Sequence, residues 1–217
     1  CLELKEKIFG KDHHEYFLSF GNLAHTYSEL GDYDKALEMN LECLTLIEKT
    51  LGNKHPDYAS ILNNTAMTYL DKGDHDKALE MNLECLALRE KLYGKEHPNY
   101  VLSLFTLGSI YSRLGDYNKA LEMNLECLAL RETIFGKEHP SYANTLNNLA
   151  LTYSSLGDYV IALELSLECL ALTEIIFGKE HPDYAGSLDL IASTYKHLGN
   201  YDRALELGLE CLVLDEK

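Results

Sequence analysis

From residue 142 to residue 156, Tyr142, Thr145, Leu146, Leu149, Ala150, Tyr153 and Leu156 recur at three and four, with mostly Asn and Ser between them. That spacing gathers them on one face of an α-helix. Gly157-Asp158 then interrupts the pattern, a glycine where a helix ends and a polar side chain where the next one starts. A second run covers 159–177, with Ala162, Leu163, Leu165, Cys169, Leu170, Leu172 and Ile176 as its apolar surface, and Gly178 closes it. The link GKEHP leads onward, with Pro182 where a helix begins and the missing amide hydrogen costs nothing. The pattern predicts a helical hairpin of about 15 and about 19 residues.

The hairpin recurs with a period of 42 residues, marked by Cys1, Cys43, Cys85, Cys127, Cys169 and Cys211 and by His13, His55, His97, His139 and His181. Gly31, Gly73, Gly115, Gly157 and Gly199 keep the same register. A fixed period of this length predicts a tandem array in which neighbouring units share a core. The expected organisation is a single all-α array with repeats at 15–56, 57–98, 99–140, 141–182 and 183–217, preceded by the end of another repeat at 1–14. That gives about eleven helices and no strand. Cys1 falls at the phase of mid-helix Cys43, so the chain reads as a piece of a longer array.

Leu149-Ala150, Tyr153, Gly157-Asp158-Tyr159, Ala162 and the later proline resemble the tetratricopeptide (TPR) repeat pattern, in which small and large residues alternate where helices interlock. The family's usual period is about 34 residues. The longer period here and the phrases LNNLA, LALRE and FGKEHP are similar to the repeats of kinesin light chains. The resemblance implies a right-handed superhelical solenoid of TPR-like hairpins whose first helices line a concave groove that holds extended peptides. One departure is a cysteine at Cys43, Cys85, Cys127, Cys169 and Cys211 where the family usually has alanine. Cysteine is slightly larger and equally suited to a core, so only a small change in spacing is expected.

The copies can be compared with one another. The second helices are nearly identical, with ALEMNLECL three times and ALELSLECL and ALELGLECL close to it. The first helices differ in columns such as Gly21, Asn63, Phe105, Asn147, Asp189 and His25, Met67, Ser109, Leu151, Ser193. These columns and their neighbours form one stripe, since offsets of three, four and seven share a helix face. Placed in the groove that the resemblance implies, the stripe nominates Asn22, Asn63, Asn64, Met67, Phe105, Arg113, Asn144, Asn147, Asn148 and Leu151 as peptide-contacting residues. A carboxamide both donates and accepts, so it can pair with the C=O and N–H of an extended backbone. Neutral drift after recent duplication is the competing explanation, but it would also scatter changes over Glu38, Glu80, Glu122, Glu164 and Glu206, which are invariant.

A formal charge of −16 argues against a nucleic-acid partner, whose phosphates reward clustered Lys and Arg. No stretch approaches the roughly 18 apolar residues of a membrane span. Cys169 and His181 lie at opposite ends of a half-helix, about 18 Å apart at 1.5 Å per residue, so the two columns build neither a catalytic pair nor a metal site. No cofactor is expected, and one cysteine per stacked repeat reads as a ladder of buried thiols rather than disulfides, in keeping with a cytoplasmic setting. The chain therefore reads as a non-enzymatic protein-protein interaction module with a protein or extended peptide as partner. The alternatives are a structural spacer or scaffold that self-associates end to end, and a sensor segment of a larger signalling protein.

Overall fold

The computed structural model describes residues 2–215, and among them the backbone is entirely helical and turn, without a strand. Eleven helices follow in order: α1 (Leu2–Phe9), α2 (His14–Glu29), α3 (Tyr33–Thr50), α4 (Pro56–Lys72), α5 (His75–Tyr93), α6 (Pro98–Arg113), α7 (Tyr117–Phe135), α8 (Pro140–Leu156), α9 (Tyr159–Phe177), α10 (Pro182–His197) and α11 (Tyr201–Asp215). The even-numbered helices are the first helices of the sequence pattern and the odd-numbered ones the second helices. The all-α fold and the helix boundaries follow the periodicity.

The Gly, Lys, His and Pro of the GKEHP connector each have a physical task. Gly94, Gly136 and Gly178 end α5, α7 and α9 at φ near +80° with ψ near 170°, a conformation that side-chain-bearing residues avoid. Lys95, Lys137 and Lys179 lay their ammonium groups over Tyr100, Tyr142 and Tyr184, about 6 Å from the ring centres. His97 caps α6, its Nδ1 accepting the N–H of Asn99 at 3.1 Å, and His55, His139 and His181 cap α4, α8 and α10 in the same way. The imidazole is held by stacking on the aromatic residue that ends the preceding helix, Tyr93 on His97 at 4.3 Å and Phe177 on His181 at 4.2 Å. Pro98, Pro140 and Pro182 supply the first helical residue. His97→Ala removes both cap and stack, and a loss of about 1–2 kcal/mol is expected in urea unfolding. Asn at 97 should recover the capping part, and an unchanged midpoint in the alanine variant would refute the role.

The helices group into two compact units, one up to Leu114 and one from Gly115. In the first, α2 packs on α3, α3 on α4, α4 on α5 and α5 on α6, while the first helices also touch one another directly, α2 with α4 and α4 with α6. In the second, α7 through α11 pack consecutively and α8 touches α10. Among the described residues the second helices within each unit make no such direct approach. Within each unit the first helices are thus the more closely spaced layer.

The cores are built where the two helix types meet. In the first unit Tyr16, Phe17, Phe20, Met39, Ile47, Ile61, Leu62 and Cys85 cluster, and in the second Leu146 and Cys169 join Tyr142 and Ala143. Ala36, Ala78, Ala120 and Ala162 are wholly buried, small residues that admit close helix packing. The cysteines do more than replace alanine: the Cys85 thiol donates to Ala59 O at 3.1 Å and Cys169 to Ala143 O at 3.3 Å, tying each second helix to its first. Asn40 and Asn124, also buried in second helices, donate to Thr68 and Thr152 at 3.4 Å on the helix that follows.

Candidate functional site

The nominated residues lie on α2, α4, α6 and α8. Met67 and Leu151 are 40% and 44% exposed, large apolar side chains standing in solvent on helix faces whose other sides are packed. Asn64 and Asn148 are half-buried beside them, one helical turn away, and Asn22, Asn144 and Arg113 are exposed. Phe105 and Asn147 are half-buried. Gly21 makes room for this surface on α2: a Cβ there would sit 2.7 Å from Ile61 Cδ1, so α2 and α4 approach closely and Asn64 lies alongside.

Asn63 departs from the sequence expectation. It is 3% exposed, and its carboxamide oxygen accepts from Arg89 at 3.3 Å, so it serves the packing of α4 on α5 instead of facing a ligand. The reason is geometric: of two adjacent residues on a helix, about 100° apart, only one can lead the open face. Asn64 leads it and Asn63 turns to the seam. The stripe is narrower than the sequence columns imply, since Gly21, in the column of Asn63, is also buried.

Toward the C-terminal ends of α2, α4 and α6 the exposed face is charged. The Asp71 carboxyl is pushed above the usual carboxylate range by partial burial and further by Glu29, while Arg113 and His25 act the other way. Glu29 on α2 and Asp71 on α4 thus lie near one another, with Arg113 on α6 supplying opposite charge. The second helices differ: Glu38, Glu80, Glu122, Glu164 and Glu206 on them are all exposed.

Sequence reasoning missed two arginines. Arg89 and Arg131 are 4% and 5% exposed, four residues beyond the buried cysteines and therefore on the same core-facing side of α5 and α7. That offset was the available signal. Arg89 donates to Asn99 O and Ser103 Oγ, both at 2.8 Å, and Arg131 donates to Ser141 O and to Thr145 Oγ1, the latter at 2.8 Å. Burial lowers both guanidinium pKa values, the direction expected for a cation with hydrogen-bond acceptors but little solvent.

Among the described residues no three His, Cys, Asp or Glu side chains come together as a metal site would require. No described helix is long and apolar enough to cross a membrane.

Solved structures share this arrangement. A kinesin-light-chain-like protein of Podosopora anserina with nearly identical TPR-like repeats is 26% identical, with a TM-score of 0.77 over 94% of this chain and 96% of that one. BtubC (BKLC) from P. vanneervenii is 20% identical, with a TM-score of 0.82 over 99% of this chain and 85% of that one, and shares the fold. A Rap protein complexed with Competence and Sporulation Factor is 16% identical and also shares the fold, with a TM-score of 0.78 over the whole of this chain and 59% of that one. No curated protein sequence matches the chain. The Tetratricopeptide repeat profile matches residues 1–49, 21–91, 57–133, 125–175 and 142–217, end to end over the helix pairs and small-residue seams described above. The chain belongs to the tetratricopeptide repeat family.

Proposed function

We propose that the exposed faces of the first helices hold a segment of a partner protein in extended conformation, and that the chain is a non-enzymatic interaction module. Repeats of this family mediate protein–protein interactions. The observation that carries the finer reading is the pairing of half-buried carboxamides, Asn64 and Asn148, with the exposed apolar side chains Met67 and Leu151 on the face where the repeats differ most. The amides would hydrogen-bond the peptide backbone while the apolar groups give its side chains a place to bury. Helices fixed by caps and cores present these groups without further ordering, which lowers the cost of binding. The Rap protein, of the same fold, is complexed with Competence and Sporulation Factor, an instance of the architecture receiving a second molecule.

The test is a peptide-display selection run in parallel on the native chain and on the Asn64→Ala/Asn148→Ala variant. A shared motif is expected on the native chain, with affinity for it reduced about ten-fold or more in the variant and helix content unchanged. Equal affinity for both proteins would overturn the assignment.

A second reading is self-association. It is favoured by α11, where Leu205, Leu209, Leu212 and Val213 are 65%, 56%, 59% and 60% exposed. Sedimentation at increasing concentration distinguishes it, since a constant monomer mass excludes it.

A further inference from the structure

The position four residues beyond the buried cysteine holds Ile47 on α3, Arg89 on α5, Arg131 on α7 and Thr173 on α9. Ile47 is an apolar core residue, whereas at Arg89 and Arg131 a guanidinium fills the seam between the second helix and the start of the next first helix. Arg89 is met by Asn99 O, Ser103 Oγ and Asn63 Oδ1, and Arg131 by Ser141 O and Thr145 Oγ1. Thr173 is far shorter, and its hydroxyl turns back to donate to Cys169 O at 2.8 Å.

The acceptors nevertheless recur in the repeat of Thr173. Asn147 stands in the place of Asn63, Asp183 in that of Asn99 and Ser187 in that of Ser103. They line a cavity of about 200 Å³ between α8, α9 and α10, completed by Asn144, Cys169, Pro182 and Gly186. Ser187 is 4% exposed and donates to Asp183 O at 2.9 Å, the same internal bond that Thr145 makes to Ser141 O at 3.0 Å while both of those oxygens also accept from Arg131. The pair is thus set as it is where a guanidinium is present. Gly186 stands where α6 has Leu102, and a Cβ there would meet nothing within 4 Å, so the mouth is wide.

We propose that this cavity is a receptor site for the guanidinium group of an arginine side chain carried by a partner peptide. The chain supplies its own guanidinium at two repeats and leaves the third such site open to solvent. The mouth opens beside Asn144 and Asn147, which share the face of α8 that carries Asn148 and Leu151. A peptide lying along that face would pass over it. A planar fork with five donors suits acceptors spread over a carbonyl, a hydroxyl and a carboxamide, whereas an ammonium presents a point charge. The half-exposed Asp183 carboxylate at the rim supplies counter-charge that Arg89 lacks, and the net charge of −16 favours the approach of a cationic segment.

This inference rests on the groove reading for the source of the arginine, and the experiment separates the two. N-acetylarginine amide and N-acetyllysine amide are titrated at millimolar concentration into the native chain, followed by amide chemical shifts. The arginine compound is expected to saturate, to move Gly186 and Ser187, and to bind at least ten-fold more tightly than the lysine compound. Thr173→Arg, which copies the sister repeats, should abolish the shifts, and Ser187→Ala should weaken binding several-fold even if the arginine variant fails to fold. Equal response to both compounds, or shifts that survive both substitutions, would overturn the cavity assignment. In the display selection, enriched peptides whose affinity is indifferent to Thr173→Arg would overturn it too while leaving the groove intact. Loss of the arginine preference from the selected motif in Thr173→Arg would support both.

Discussion

Between pH 9 and pH 12 the folded chain is expected to lose stability steeply. The thiol of Cys43 is wholly buried, and burial, helped by Asp57 and Glu42, pushes its pKa from 9.0 up to about 12. Burial raises the thiols of Cys85, Cys127 and Cys169 and the phenols of Tyr16, Tyr58 and Tyr142 in the same direction. An unfolded chain ionises its thiols near pH 9, whereas the native one keeps them protonated, so above that point the unfolded state binds fewer protons and gains. The contribution is complete below pH 9 and is lost as pH rises through the folded value. For Cys43 alone a rise from 9 to about 12 corresponds to about 4 kcal/mol, against total stabilities of roughly 5–15 kcal/mol. Helix signal followed against pH should collapse within this window. Cys43→Ala, which restores the residue usual in the family, should move the midpoint to higher pH. A coincident profile for the two proteins would show that the thiol does not govern alkaline unfolding.

Leu146→Ala is expected to cost about 2–5 kcal/mol, and Leu151→Ala less than about 0.5 kcal/mol, although both remove the same atoms from the same helix. Leu146 is 1% exposed and packs with Tyr142, Ala143 and Cys169, while Leu151 is 44% exposed. Deleting the first leaves a cavity among helices that shift only partly to fill it. Deleting the second removes surface already in water. If Leu151 belongs to the binding face, its loss should instead weaken a selected peptide. Urea unfolding of both variants, with peptide titration of the second, checks the pair. Equal destabilisation would mean that the two faces of α8 are not divided between core and ligand.

The scaffold was legible in the sequence because its cues are local. Gly157-Asp158, the His-Pro pairs and the three-and-four spacing of apolar residues act within one turn of their neighbours, and they place α8 and α9 nearly to the residue. The stacking of Phe177 on His181 follows once the turn is formed. The binding face was legible only in part. Periodicity puts Asn63 and Asn64 side by side, and both are amides, so one dimension of pattern gives no means of choosing between them.

What the sequence determined by itself is the repeat, the helix pairs, their ends and the family, since each rests on the order of residues over a few turns. Tertiary structure alone decided which side of each first helix stays open. It turned Asn63 inward to Arg89 and left Asn64 at the surface, because α5 approaches one flank of α4 and not the other. It also decided that Arg89 is buried and that Asn147, Asp183 and Ser187 line a cavity. Those outcomes depend on acceptors contributed by helices separated in the chain, and their distances are fixed only when the helices pack.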